Sequence, residues 1–535
     1  SSLEDFEITM EGHGREEIVA GLDISRTVGW FTSTFPLKLK YFVEEPIGAT
    51  ILRIKEQLRN IPKNGISYGL LRYLNSSDST SCLRQPVNSS PISFNYLGQF
   101  NQATSGKFLL AEASGDTGSD FSQSAYRQAL IDLNARISGN QFNLQISYSK
   151  NVYKHENIKA FGDLYLNTLT SIIHHCCNEA HGSYTSYDFP LATLSASNYE
   201  KLFSKYQNNI QDIYPLSPMQ QGMVFHTRFN TSSGAYIIQM GCKMAGNFAP
   251  TAFQNAWATV IQRHSSLRTV IYENYQSQDH QLILNQVSPS WHLFDWTHLS
   301  TDDQDLYWEK LLIEDRFEEH ALDSSSQMRF YLVKTSQDGW RFLWSHHHLM
   351  TDGWCLPIIM KEVLHYYAHP EQLDLPLPNP YRDYIEWLGL QNIEDAKTYW
   401  THYLQGIDAP TPLGIASGDL QINQSNKFAY QDMSHLLSEE LSGSLNQFAK
   451  KYRFTLSNLM QATWALLLGI YSQTNDIVFG ATVSGRPPEL KGVENMVGLF
   501  INSLPVRARL HPEKNIQQFL LELMENQLES DHYSY

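Results

Sequence analysis

Three consecutive histidines precede an Asp-Gly pair in "WSHHHLMTDGW", from Trp344 to Trp354. An imidazole with an ordinary pKa of about 6.5 can act as a general base, a proton carrier or a metal ligand. The alternating apolar residues of "RFLWSHHH" predict a half-buried strand. Asp352 is well placed to cap the helix that follows, by accepting a backbone N–H. The histidines are therefore predicted at a strand-to-helix junction, a common place for chemistry in α/β proteins.

A metal site is disfavoured by this spacing. Successive strand residues point to opposite faces, so His346 and His348 could share a metal but His347 could not. No Cys or carboxylate stands at the partner spacing of a zinc motif, and the helical "HHCC" of His174–Cys177 would fan out around its axis. Two interpretations remain: His346 and His347 as core residues, and His348, beside a loop, as a general base.

The composition excludes several classes of protein. The 535 residues carry a formal charge of −16 and no basic run that offsets it, which argues against nucleic acid as a partner. No apolar stretch approaches the roughly 20 residues that cross a bilayer, and the first residues lack the build of a signal peptide. The five cysteines follow no pattern, which favours reduced thiols. We expect a cytoplasmic location.

A repeat divides the chain. "EGHGREEIVAGLDISRTVGWFTSTFP", from Glu11, and "VSGRPPELKGVENMVGLFINSLP", from Val483, both carry Gly-Arg and then Val-Gly-x-Phe followed by Pro. The alternation after each Val-Gly predicts a strand entered from a Gly-rich loop. The same order at nearly the same spacing predicts two homologous lobes. The chain is therefore expected to begin inside one module and to end inside another.

Other segments predict mixed strands and helices. Apolar residues at helical spacing in "ENIKAFGDLYLNTLTSIIHHC" predict a helix that closes the first module. Further helices are expected near 197–206, near 250–264 and after Asp352, and a strand near 328–333. This mixture indicates α/β layers.

The motif His347–Gly353 fits HHxxxDG, and the second module resembles the condensation domains of nonribosomal peptide synthetases. Four more stretches resemble that family's motifs in order, over roughly residues 210–535: "YPLSPMQQGMVFH", "RHSSLRT", "YRDYIEW" and "VGLFINSLPVR". The resemblance implies an α/β fold of chloramphenicol acetyltransferase-like lobes, each a mixed sheet with flanking helices, and two such lobes form a V. It places the N-terminal lobe at 212–390 and the C-terminal lobe, without its end, at 391–535.

Residues 1–187 resemble the C-terminal lobe of an epimerization domain. The resemblance rests on "EGHGRE", "RTVGWFTSTFP" and "FNYLGQF". "PKNGISYG" departs from the family pattern P-x-x-G-x-G-Y-G, because Ser67 replaces the middle glycine. The resemblance implies a histidine-bearing lobe upstream of residue 1 and a linker at 188–211.

The resemblance implies that His348, with His347 beside it, faces the amine that attacks a thioester. It pairs Asp352 with an arginine of the other lobe, for which Arg486 is the first candidate and Arg268 and Arg329 are weaker ones. The alternative is a helix-capping Asp and a solvated Arg. Gly353 is expected to permit close packing at the turn. Asn502 matches a position near the substrate channel, although Asn at a strand edge is also a common turn former.

In the first module the resemblance implies proton abstraction alpha to a thioester carbonyl. Glu11 fits one acid/base role, and Arg15, four residues on, could hold its charge. Asn95 and Tyr96 resemble residues near the developing enolate, where a hydrogen-bond donor is useful. Without its upstream lobe this module is expected to be inert.

The implied reaction joins two thioesters on phosphopantetheine arms, with the chain itself binding no cofactor or metal. The partners would be upstream and downstream peptidyl carrier domains and the neighbouring adenylation domains, with no nucleic acid and no membrane. The order of modules implies a D-ending donor and an L-acceptor. Two alternatives stay open: a non-catalytic carrier-docking or scaffold module, and a freestanding acyltransferase that uses soluble thioesters.

Overall fold

The chain forms two compact units, Ser1–Asp188 and Phe189–Tyr535, in a computed structural model. The boundary lies beside the module end expected at residue 187. The structure describes residues 3–16, 18, 23–42, 44–74, 83, 90–99, 122, 129–138, 140–178, 184–207, 209–229, 234–273, 278–318, 321–324, 326–372, 375–413 and 433–535.

The first unit is built on a five-stranded mixed sheet in the order β2-β1-β3-β4-β5. Strand β1 runs antiparallel to β2 and parallel to β3, and β4 is antiparallel to β5. The strands are β1 (Leu3–Gly12), β2 (Ser33–Phe42), β3 (Ile92–Gln99), β4 (Ile131–Ser138) and β5 (Gln141–Tyr148). The helices are α1 (Ile47–Arg59), α2 (Ile66–Tyr73) and α3 (His155–Asn178).

The predicted closing helix is α3, and it covers the sheet. Side chains along β4 alternate between buried and less buried, as expected when one face of a strand meets a helix. Ile131 and Leu133 of β4 pack against Ile158 of α3. This contact forms the core of the first unit.

The second unit contains nine strands in three sheets, ordered β10-β11-β12-β7, β6-β9-β8 and β13-β14, within the described residues. Their bounds are β6 (Ile210–Pro215), β7 (Ile237–Ala245), β8 (Thr269–Tyr272), β9 (His280–Leu284), β10 (Ser290–Asp295), β11 (Met328–Lys334), β12 (Gly339–His347), β13 (Asp476–Val483) and β14 (Asn502–Arg509). The helices are α4 (Ala196–Tyr206), α5 (Pro218–Phe229), α6 (Pro250–Arg263), α7 (Thr301–Phe317), α8 (Cys355–Ala368), α9 (Arg382–Gly389), α10 (Ile393–Tyr403), α11 (Glu439–Tyr452), α12 (Leu456–Ser472) and α13 (Ile516–Asp531).

Strand β12 is buried on both faces, so the expectation of a half-buried strand is wrong. One face packs Phe342 and Trp344 against Trp257 of α6. The other face carries polar residues on either side of the buried Leu343, and Arg341 there pairs with Asp305 of α7. Buried polar groups are tolerated when they are paired. The polar residues of this face therefore did not mean that it is exposed.

The predicted linker, residues 188–211, is folded structure of the second unit from Phe189 onward. Phe189 is buried and stacks on Tyr199 of α4, with ring centroids 6.3 Å apart. Ser195 caps α4 by accepting from the Asn198 amide. No helix in the described ranges is long and apolar enough to cross a membrane.

Candidate active site

The three histidines end β12 and enter a single 3-10 turn, His348–Met350, before α8 begins at Cys355. His346 and His347 are buried, and His348 is partly exposed. The backbone N–H of His348 donates to the Tyr236 carbonyl at 2.7 Å. The strand therefore carries the chain to the turn and leaves one imidazole accessible.

The protonation of the His348 ring follows from its partner. Its Nδ1 lies 2.8 Å from the backbone carbonyl of Thr351. A carbonyl only accepts, so Nδ1 carries the hydrogen, and in the neutral ring Nε2 keeps its lone pair. This arrangement is suited to accepting a hydrogen bond or a proton from a nucleophile.

His347 has a structural role in this geometry. Its Nδ1 accepts from the Leu349 amide at 3.2 Å. Its Nε2–H therefore donates to Thr227 Oγ1 at 3.0 Å, and that hydroxyl donates to the Met223 carbonyl. This chain of bonds ties the turn to α5.

His346 lies on the other side of the turn. Its Nε2 is 2.7 Å from Thr351 Oγ1, and its ring stacks on Trp344 with centroids 4.0 Å apart. His346 and His348 thus both contact Thr351, through its hydroxyl and its carbonyl respectively, whereas His347 contacts Thr227 and the Leu349 amide. No group of three or more His, Cys, Asp or Glu side chains in the described part of the chain is arranged to hold a metal ion.

Asp352 has a fully buried carboxylate that joins sequence-distant loops. Its Oδ1 accepts from the Trp354 amide at 3.1 Å and from Arg486 Nη2 at 3.3 Å. Its Oδ2 accepts from the Phe500 amide at 3.1 Å. Asp352 therefore does not cap α8 as predicted, because the N-cap residue is Trp354 and the helix has no side-chain cap. The contact of Asp352 with Arg486 replaces the alternative of a solvated arginine.

Arg486 is held from several sides. Its Nη1 donates to the carbonyls of Val493 and Met496, and its guanidinium lies 4.0 Å from the centroid of the Phe500 ring. Of the weaker candidates, Arg329 pairs with Asp315 at 2.8 Å, and Arg268 donates to Ile261 O and Gln211 Oε1.

Cys355 is a buried member of this cluster that sequence reasoning did not single out. Its Sγ accepts from the Gly498 amide at 3.3 Å and lies 3.2 Å from Asp352 Oδ1. Burial first, and then the Asp352 charge, raises the pKa of the thiol to about 12, so it remains a neutral donor. The sequence signal that could have identified Cys355 is its position two residues after Gly353 of the motif.

The structure contradicts the expectation for Gly353 and shows which bonds Asn502 makes. Gly353 is exposed, and a Cβ there would meet nothing within 4 Å, so close packing at this turn is wrong. Space beside the motif is open instead. The Asn502 side chain donates to the Ser534 carbonyl at 2.7 Å and accepts from the Ser503 amide at 2.8 Å. Both bonds hold the start of β14.

In the first unit, the predicted residues lie on two neighbouring strands. Glu11 of β1 and Asn95 of β3 directly follow Met10 and Phe94, the last residues that pair between these two strands. Tyr96, the next residue after Asn95, is half exposed. The parallel register therefore brings Glu11 and Asn95 to neighbouring positions on β1 and β3.

Arg15 does not hold the charge of Glu11, contrary to expectation. Its guanidinium donates to the Ile24 carbonyl at 2.6 Å and lies 4.3 Å from the centroid of the Phe31 ring. Glu11 is exposed at the end of β1. The spacing of four residues would pair side chains on a helix, but the chain leaves the strand here as a loop.

Together, the mixed sheets and the buried Asp–Arg contact beside an accessible histidine define an α/β protein with a histidine-centred site. A family model described as the condensation domain matches residues 1–187 and 210–535. The chain belongs to the condensation-domain family. The same model matches both units, which agrees with the predicted homology of their repeat.

The relatives are large synthetases. The chain is 39% identical over 533 residues to a component of the linear gramicidin synthase of Brevibacillus parabrevis, covering 99% of this chain and 7% of that protein. It is 31% identical over 534 residues to bacitracin synthase 1 of Bacillus licheniformis, covering 99% and 10%. The chain thus spans a small part of each relative.

Solved structures share the fold. The starter condensation domain of a rhizomide synthetase has a TM-score of 0.51 at 20% identity, covering 60% of this chain and 73% of that one. The condensation domain of the Monacolin K polyketide synthase has a TM-score of 0.52 at 16% identity, covering 61% and 74%.

Proposed function

We propose that the second unit forms peptide bonds in nonribosomal peptide synthesis. It transfers an aminoacyl or peptidyl group from the thioester of an upstream carrier domain to the amine on a downstream carrier. The observation that carries this proposal is the His348 ring, with Nδ1–H committed to the Thr351 carbonyl at 2.8 Å and Nε2 left as an acceptor.

The chemistry asks little of the protein beyond alignment and one proton. The amine nitrogen attacks the thioester carbon, the C–N bond forms, and the C–S bond breaks. The amine proton ends on the departing sulfur. His348 Nε2 accepts a hydrogen bond from the amine, and this bond strengthens as the nitrogen becomes cationic. Alignment of the two arms supplies several kcal/mol of the barrier reduction.

The surrounding residues keep this ring in place. His347 ties the turn to α5, and Asp352 ties it to Arg486 and to the Phe500 amide. The open space at Gly353 leaves room beside the motif for a phosphopantetheine arm. Such arms belong to the carrier domains, which together with adenylation domains are the proposed partners. Asn502 supports β14 behind this region.

We further propose that the first unit belongs to an epimerization domain that converts the donor residue from L to D. Glu11 would abstract or return the Cα proton, with Asn95 and Tyr96 near the enolate oxygen. The register of β1 and β3 supports this, since Glu11 and Asn95 directly follow the paired residues Met10 and Phe94. The second unit would then accept a D-ending donor and an L-acceptor.

The test uses the chain in its native polypeptide, with a D-ending donor on the upstream carrier and an L-amino acid on the downstream one. Intact-protein mass spectrometry should show carrier-bound dipeptide. His348→Ala should lower its rate by about 10²-fold or more, whereas His298→Ala, at an exposed loop position, should not. An L-ending donor should react more slowly.

Three outcomes contradict the proposal. No product while both carriers still bind indicates a docking module. Product from soluble thioesters alone indicates a freestanding acyltransferase. For the first unit, the donor carrier in D2O should gain deuterium at Cα. Loss of exchange in Glu11→Gln but not in Glu7→Gln, on the same exposed strand, supports the epimerase role, and equal exchange in both removes it.

A further inference from the structure

Thr351 connects two histidines of the turn through different atoms. Its hydroxyl Oγ1 lies 2.7 Å from His346 Nε2, and its backbone carbonyl accepts from His348 Nδ1 at 2.8 Å. Its own N–H donates to the His348 carbonyl at 3.3 Å. Thr351 and His346 are each only 3% exposed, so water does not compete for the bond between their side chains.

His346 is the rigid end of this connection. It belongs to β12, where it lies opposite Met328 on β11 and Ile238 on β7. Its ring also stacks on Trp344 at an interplanar angle of 16°. A side chain fixed by two strands and a stacked ring holds its hydrogen-bond partner in one place.

Thr351 transmits that rigidity to its own backbone. A β-branched side chain has few χ1 rotamers, so anchoring Oγ1 also restricts the backbone that bears it. The residue is extended, with φ −149° and ψ 155°, and in this conformation its carbonyl meets the His348 ring. A carbonyl cannot pass a proton on, so the connection orients the ring and does not relay protons.

We propose that Thr351, locked by His346, is a positioning residue for His348. It holds the imidazole in the Nδ1–H tautomer and aims Nε2 at the amine. This inference rests on the proposed condensation function for its effect on rate. In this proposal His346 acts on His348 through Thr351, whereas His347 ties the turn to α5.

The experiment compares Thr351→Val, which keeps the shape but removes the hydroxyl, with Thr351→Ser, which keeps the hydroxyl. Histidine-selective ¹⁵N NMR of the chain reads the tautomer of His348, whose signal is identified by its loss in His348→Gln. The wild type should show Nδ1–H. Thr351→Val should show a mixture of tautomers, and Thr351→Ser should restore the wild-type spectrum.

In the peptide-forming assay, Thr351→Val should lower kcat by about tenfold, the rate equivalent of one buried hydrogen bond, with KM for both carriers unchanged. Thr351→Ser should recover most of it. If Thr351→Val only lowers the melting temperature and leaves both the tautomer and kcat unchanged, the positioning role is wrong. The NMR result stands even where the wild type forms no peptide, so the two proposals fail separately.

Discussion

The repeat forms an antiparallel strand pair joined by a Gly-Arg loop in each unit, here called the Gly-Arg hairpin. The strands are β1 and β2 in the first unit and β13 and β14 in the second, and their registers are the same. Pro36 lies opposite Thr9 in the first unit, and Pro505 lies opposite Gly480 in the second. In both, the glycine before the arginine has a positive φ, +65° at Gly14 and +58° at Gly485, and a Cβ would overlap a phenylalanine carbonyl oxygen. Glycine is therefore required at both sites.

The loops that complete the two hairpins differ in burial. In the first unit Val28 is 99% exposed and Trp30 is 91% exposed. Their counterparts in the second unit, Val497 and Leu499, are 3% and 1% exposed. Tyr381 accounts for part of the difference, because its hydroxyl donates to the Leu499 carbonyl at 2.6 Å.

This difference shows that the backbone conformation of the loop is set locally, whereas its burial depends on other residues packed against it. Glycine and the arginine–phenylalanine contact, 4.3 Å in the first unit and 4.0 Å in the second, set the local conformation without help. Burial of the apolar loop residues comes from the half of the second unit that carries His348.

The largest effect is expected from the arginines. Arg486→Ala leaves the buried Asp352 carboxylate without its cation, which should cost about 3–5 kcal/mol of unfolding free energy. Arg15→Ala loses a carbonyl bond and a ring contact and should cost less than about 1 kcal/mol. Denaturant titration followed by tryptophan fluorescence reports mainly the second unit, since Trp30 is the single tryptophan of residues 1–188. Far-UV circular dichroism covers both units. Equal losses would contradict the comparison.

A smaller difference should separate the two loops. Leu499→Ala removes a fully buried side chain and should cost about 2–5 kcal/mol. Trp30→Ala removes a larger but exposed side chain and should stay within about 0.5 kcal/mol. Thermal unfolding measures both. A large loss for Trp30→Ala would mean that the first loop is covered in solution.

A fall in pH should lower the unfolding free energy of both units through carboxylates that are paired in the fold. Burial raises the pKa of Asp315, but the nearby Ser345 hydroxyl, the charge of Arg329 and hydrogen bonds from Gln239 and Arg329 outweigh it, so the pKa lies below its ordinary value. A carboxyl group whose pKa is lower in the folded state stabilises the fold above the unfolded pKa of about 3.9. This stabilisation is lost as the pH falls toward the folded pKa, at about 1.4 kcal/mol per pKa unit.

The first unit has a similar but less buried carboxylate. The pKa of Asp188 is lowered by hydrogen bonds from Lys55, the Thr185 amide and Arg59 against an opposing burial effect. Unfolding free energy measured between pH 6 and pH 3 should therefore fall in both units. Asp315→Asn should flatten that slope, and an unchanged slope would assign the acid sensitivity to other groups.

Local signals predicted much of this structure. The helix expected near 250–264 is Pro250–Arg263, and the strands predicted after each Val-Gly are β2 and β14. The Asp352–Arg486 contact followed from the family resemblance. Residue types and spacing did not show that Cys355 bonds to Gly498, that Gly353 faces open space, or that Arg15 turns away from Glu11. Those facts depend on tertiary contacts, which polarity and periodicity do not encode.

The bond from the Phe500 amide to Asp352 spans 148 residues of sequence. A ribosome adding about 5–20 residues per second needs roughly 7–30 s to make that stretch. During this interval His348 is already synthesised, but the loop that anchors its turn is not. The site is therefore completed only once Phe500 has been made, after the histidine-bearing sheet has had time to fold.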